Sequence, residues 1–185
     1  MMDLRMSAMS SYLMVVGLIL LCAVSRLLPH PPNFTPVAAL ALFAGATLAS
    51  TRIALLVPLV GMMLSDLVIG MHGLAMVVYG ALALNVLLGR WLQGKPSVFG
   101  IAGASVAGAT AFFLITNFGC WVQAGNLTIA ALTKCYVAAI PFFGNTLAGD
   151  LTFTAVIFGT ATAANWLAAG RHRQCSLNSP HGKVA

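Results

Sequence analysis

Charge is what this chain lacks most: of 185 residues only 6% are charged, against 60% hydrophobic. A soluble domain carries about 25% charged residues, because it needs them to cover its surface. Nine basic and three acidic side chains cannot clothe a water-facing globule of this size, so hydrocarbon is the solvent that the composition implies for most of the surface. Signatures of catalysis are missing too. No HExxH, Gly-x-Ser-x-Gly or GxxxxGK[ST] occurs, which leaves the chain without the helical zinc site, the nucleophile elbow or the phosphate-binding loop. The four cysteines include no CxxC pair for metal or redox work. Cys22 falls in an apolar run and Cys175 in the C-terminal tail, while Cys120 and Cys135 are open to either a disulfide or two free, buried thiols. The formal charge of +6 comes from Lys and Arg lying singly between apolar runs. That is a pattern of topogenic charges; nucleic acid needs a clustered basic face.

What is present is apolar sequence in lengths that suit helices. A helical span needs about 20 apolar residues, so 185 residues hold six or seven and no soluble catalytic domain. The sequence therefore predicts an all-α polytopic membrane bundle of about six transmembrane helices, with both termini cytoplasmic. Residues 1–170 form its single transmembrane domain, and 171–185 a polar, disordered cytoplasmic tail carrying Asn178, Ser179, Pro180 and Gly182. The spans are read at 12–27, 36–50, 53–69, 74–91, 98–116 and 143–168, the first ended by Pro29, Pro31 and Pro32. The second is short. Arg5, the Leu-rich run and Ala23-Val24-Ser25 mimic a cleavable signal, but Arg26-Leu27-Leu28 continues the apolar run, so the first helix is expected to stay.

Residues 127–140 are apolar and helical, yet at about 1.5 Å per residue too short to cross the core. They are read as a short helix lying in the outer half of the bundle, with Lys134 at its middle. Topology supports that choice. With six crossings, Arg5, Arg52, Arg90, Lys95, Arg171, Arg173 and Lys183 are cytoplasmic and only Arg26 and Lys134 lie outward, as the positive-inside rule requires. A seventh crossing would send the Arg171/Arg173 tail out.

On that topology the polar residues gather on one side. Asp66 nears the outer end of the third span, followed by His72; His30 and Asn33 lie in the first outer loop. Asn117 and Trp121 follow the fifth span, and Asn145 and Asp150 occupy the outer third of the last. An ionised carboxylate at mid-helix costs roughly 2.5–3.5 kcal/mol on insertion scales. Such a group persists when it faces a wet cavity, pairs with a cation such as Arg26 or Lys134, or holds a ligand. Convergence of four separated segments favours a pocket open to the outer face, over a set of helix-end ion pairs.

Phe34, Phe118, Trp121, Tyr136, Phe142 and Phe143 cluster in the same segments. Singly each reads as interfacial belt; together with the amides and carboxylates they suit a small planar, polar ligand held between rings. Prolines stiffen the 30–36 loop, which reads either as a lid or cavity wall or as a tight connection. Small residues recur every four positions at Ala41, Gly45 and Ala49 and at Gly100, Ala104 and Gly108, marking close helix contacts inside the bundle or a docking face for a partner subunit.

The segments RLLPHPPNFTPVAALALFAG (26–45), SDLVIGMHG (65–73), FFLITNFGCW (112–121) and CYVAAIPFFGNTLAGDL (135–151) resemble those of an uncharacterised family of small bacterial integral membrane proteins. That family implies a bacterial inner-membrane location and brings no established activity. In architecture and polar placement the chain is also similar to the substrate-binding S components of energy-coupling-factor vitamin transporters, a fold-level analogy. That likeness implies six helices, a vitamin pocket near the outer face, and docking on a shared transmembrane coupling subunit and ATPase pair. The nickel and cobalt members fit poorly, because no His lies near this N-terminus.

The expected function is therefore a membrane-embedded solute-binding subunit for uptake of a small vitamin-like or heteroaromatic molecule. His30, Asn33, Asp66, His72, Asn117, Trp121, Asn145 and Asp150 are its candidate ligand-binding residues, with no catalytic residue, metal or cofactor. The partners expected are the small-molecule ligand, membrane lipid and the coupling machinery, and no nucleic acid. Two other readings compete: a structural or assembly subunit of a membrane complex, and a membrane enzyme using Asp66, His72 and Asp150.

Overall fold

Prolines and glycines cut the apolar sequence into six helices: α1 Ala8–Leu27, α2 Val37–Thr47, α3 Thr51–Ile69, α4 Ala75–Trp91, α5 Val98–Gln123 and α6 Ile129–Leu177. The computed structural model describes residues 8–94 and 96–177, with side-chain burial for 12–94 and 96–169. Among the described residues there are no strands. The expected charges at Asp3, Arg5, Lys95, Arg171, Arg173 and Lys183, and the thiol of Cys175, lie outside the described side chains.

Helix ends follow local chemistry. Pro36 immediately precedes α2, where a missing N–H costs nothing. Gly70, at φ 110°, stops α3 and returns its N–H to the Asp66 carbonyl at 2.9 Å. Ser97 caps α5, its Oγ accepting from Gly100 N–H at 3.0 Å. Pro58 is tolerated inside α3, where it is buried.

Successive helices alternate in direction. The loops at 28–36, 70–74 and 124–128 therefore share one end of the bundle, and those at 48–50 and 92–97 share the other. Arg90 ties that second end together, donating through Nη1 to the Leu48 carbonyl at 2.9 Å and to Gln93 Oε1 at 2.6 Å. α2 is the central strut, with eight of its eleven residues buried. It crosses α4 at backbone contact: a Cβ at Gly45 would fall on the Val86 carbonyl oxygen, and one at Gly89 on that of Leu42. The small-residue stripe of α2 thus packs inside the bundle, apart from the exposed Ala49. On α5, Ala104 and Gly108 are buried and Gly108 leaves room for the Asn85 side chain of α4.

One expectation fails at α6. Residues 127–140 do not form a separate short helix: from Ile129 they run without a break into the last helix, giving 49 residues, about 74 Å at 1.5 Å per residue. Pro141 sits inside it. A proline there removes a single hydrogen bond and clashes with the preceding turn, and the neighbouring helix offsets both. Trp121 Nε1 donates to the Thr128 carbonyl at 3.2 Å and Tyr136 Oη to that of Leu114 at 2.8 Å. Phe113 packs against Tyr136 and Phe143, at 5.6 and 4.8 Å between ring centroids. Beyond the proline, Thr154 Oγ1 donates to Ser105 Oγ at 3.3 Å. α5 is correspondingly longer than expected, reaching Gln123. The last helix also continues past 168 to Leu177, so the tail begins as helix; 178–185 lie outside the described residues.

Three helices are long and apolar enough to cross a membrane: Thr51–Ile69, Val98–Gln123 and Ile129–Ala169. Three shorter apolar helical stretches accompany them, Tyr12–Leu27 within α1, Val37–Thr47 and Ala75–Trp91. Large apolar side chains cover the outside, among them Leu13, Leu20, Leu67, Val68, Phe99 and Trp166.

Candidate functional site

Two aspartates sit near the loop end of the bundle, and the fold gives them opposite surroundings. Asp66, in the last turn of α3, is fully buried. Arg26, from the last turn of α1, donates through Nη1 to Asp66 Oδ1 and to Ser65 Oγ, and Tyr79 Oη of α4 donates to Asp66 Oδ2 at 2.7 Å. Both carboxylate oxygens are therefore engaged and the charge is neutralised. This is the pairing that a fully buried carboxylate needs. Asp150 has no such company. It is 4% exposed, and its Oδ2 is buried with no hydrogen-bond partner.

Asp150 opens instead onto a cavity of about 310 Å³. Its polar lining comes from Arg26 and the 30–36 loop (His30, Asn33, Thr35), from His72 in the α3–α4 loop, and from Thr146 and Asp150 on α6. The apolar lining is Val37, Ala38, Met62, Val78, Leu82 and Phe112. All six helices or their adjoining loops contribute. A partly enclosed cavity of about 300 Å³ or more, apolar with a few converging polar groups, has the make-up of a small-molecule site.

The 30–36 loop is a cavity wall, held in place at several points. Pro32 and Asn33 occupy the corner of a β-turn closed by Phe34 N–H to the Pro31 carbonyl at 3.0 Å. Asn33 takes φ 62°, a left-handed conformation that Asn accepts more readily than most residues, behind a proline as in a type II turn. Asn145 Nδ2 donates to the Pro32 carbonyl at 3.1 Å, joining the loop to α6. Phe34 lies over Gly149, where a Cβ would meet its Cα at 3.2 Å, and stacks on Phe153 at 5.3 Å. His30 Nδ1 lies 2.6 Å from the Leu28 carbonyl. A carbonyl only accepts, so Nδ1 carries a proton there.

Of the eight residues expected at the site, His30, Asn33, His72 and Asp150 line this cavity. The other four do different work. Asp66 lies behind the wall, holding Arg26. Asn145 anchors the loop. Asn117 turns back on its own helix, Nδ2 donating to the Phe113 carbonyl at 2.7 Å, and Trp121 stacks on Phe118 at 5.3 Å beside the start of α6. The aromatic wall of this cavity is Phe112; of the aromatic residues expected to sandwich a ligand, Phe34 packs on Phe153 and Phe143 on Phe113, while Phe118 and Tyr136 line a second, more open apolar groove of about 640 Å³ formed by α4, α5 and α6. Sequence reading missed Thr35, Thr146 and Phe112. Thr146 was findable, since it lies four residues before Asp150 on one helix face. Cys120 and Cys135 are free thiols, Cys120 exposed and Cys135 half-buried, with Cys22 buried.

No curated protein and no solved structure matches the chain. One family's sequence model matches residues 6–172, nearly the whole length, and the chain belongs to that family, a family of unknown function (DUF6580).

Proposed function

We propose that this chain is a membrane-embedded solute-binding subunit, similar in role to the S components of energy-coupling-factor transporters, with its cavity open to the outer face. The observation that carries this reading is Asp150: a buried carboxylate oxygen without a partner, on the wall of a cavity large enough for a small molecule. A group that costly in a hydrocarbon-embedded bundle is retained where a ligand satisfies it.

Six crossings fit the helices. α2 spans only about 17 Å at 1.5 Å per residue, short of the roughly 30 Å core. Because its surface is buried by neighbouring helices, it need not match the lipid itself. Arg52 and Arg90 sit at the end opposite the cavity, and the positive-inside rule then turns the cavity outward. Uptake would need a separate ATPase and coupling subunit, since the chain has no phosphate-binding loop.

The test is ligand retention by full-length protein purified in mild detergent, read by native mass spectrometry and thermal unfolding. Asp150→Asn removes the charge without changing shape. It is expected to abolish ligand binding and, in the empty protein, to leave thermal stability unchanged or raised, as when a functional residue is stripped of an unpaired buried charge. Full ligand retention by a well-folded Asp150→Asn protein would refute the assignment.

A further inference from the structure

We infer that the solute is a small organic cation, its positively charged nitrogen set against Asp150. This rests on the solute-binding reading above and adds the ligand's charge class.

The argument is a charge account of the cavity. Four ionisable residues line it: Arg26, His30, His72 and Asp150. Arg26 is already neutralised from behind by Asp66, which Tyr79 and the fold lock in place. With Arg26 balanced by Asp66, Asp150 is the one carboxylate on the wall without a countercharge among the described residues. An anionic guest would meet that carboxylate in a low-dielectric site, where like charges repel strongly. A neutral guest would leave the charge unpaired. A cation cancels it.

Acceptors for the guest's N–H groups are at hand. Asp150 offers carboxylate oxygens. Thr146 Oγ1 donates its proton to the Phe142 carbonyl at 3.0 Å, so toward other groups it acts as an acceptor. Arg26 and Asn33 add donors on the same wall. The rest of the guest is apolar or aromatic, to match Val37, Ala38, Met62, Val78, Leu82 and Phe112. An inorganic metal ion does not fit, since no group of three His, Cys, Asp or Glu among the described residues could hold one. At about 310 Å³ the cavity lies at the small end of the range for ligand sites, which suits a small guest.

Three phenyl compounds of similar size with a cationic, a neutral and an anionic head group test this: benzylammonium, benzyl alcohol and benzoate, titrated into full-length detergent-purified protein by thermal shift and calorimetry. Benzylammonium is expected to bind at least tenfold more tightly than the other two. Asp150→Asn should weaken it about 30-fold or more, the usual effect of deleting one partner of a buried charge pair. Asp150→Glu, which keeps the charge, should retain the preference for the cation even if Asp150→Asn proves unstable. Equal or tighter binding of the alcohol or benzoate overturns the charge assignment while leaving a solute site in place. If no probe binds, a co-purified small molecule decides: a cation supports the inference, and a neutral or anionic one overturns it. Absence of both probe binding and a co-purified molecule overturns the inference and the solute-binding reading together.

Discussion

Replacing Arg26 by Met should destabilise the bundle more than any other single change at the loop end, because it strands Asp66. The carboxylate is fully buried, Arg26 is its sole ion-pair partner among the described residues, and only Tyr79 would still donate to it. Removing one member of a buried pair costs about 3–5 kcal/mol. For a chain of this length that corresponds to a fall in unfolding temperature of about 6–20 °C, at roughly 2–4 °C per kcal/mol. The carboxylate can be neutralised in the same background. Asp66→Asn keeps an acceptor for Tyr79 and removes the stranded charge, so Arg26→Met with Asp66→Asn should recover at least half of the loss. Tryptophan fluorescence during thermal unfolding in detergent reads all three variants against the parent. A single Arg26→Met variant within 2 °C of the parent, or a double variant no better than that single one, would refute the view that the pair is a structural lock.

Three further outcomes follow from the packing. Gly89→Val should prevent α2 and α4 from closing, because its side chain would meet the Leu42 backbone, and a loss of about 1–3 kcal/mol or more is expected; Gly17→Ala, in open space on α1, should instead gain about 0.5–1 kcal/mol, both read by unfolding temperature. Asn145→Ala releases the Pro32 carbonyl; a loss of about 1 kcal/mol, with faster proteolysis in the 30–36 loop, is the expected result. A membrane-impermeant maleimide applied to intact cells should label a variant retaining only Cys120, which is exposed at the cavity end, and spare one retaining only the buried Cys22. Labelling of Cys120 only after lysis would place the cavity on the cytoplasmic side.

Which residues build the cavity was legible in part. His30 and Asn33 stand out because prolines fix the loop that carries them, and Asp150 because an ionisable carboxyl within an apolar helix is costly. Asp66 looked identical to Asp150 by the same criteria. Its partners come from α1 and α4, 40 and 13 residues away, and sequence spacing carries no record of such contacts. Asn117 and Trp121 lie within α5 rather than beyond a helix ending at 116, because packing against α6 carries α5 on to Gln123. Residues 127–140 are too short to cross when read alone, and packing against α5 joins them through Pro141 to the last helix.

Composition and apolar run length alone predicted an all-helical chain with helices apolar enough to cross a membrane, and turn residues placed six helices in order. Direction and packing partners needed the folded molecule. Only there do α1 and α4 reach Asp66 while an oxygen of Asp150 is left without a partner among the described residues, so two similar aspartates end in opposite surroundings. The physical reason is distance: a charge's fate depends on what lies within a few ångströms, and those neighbours are brought from far along the chain.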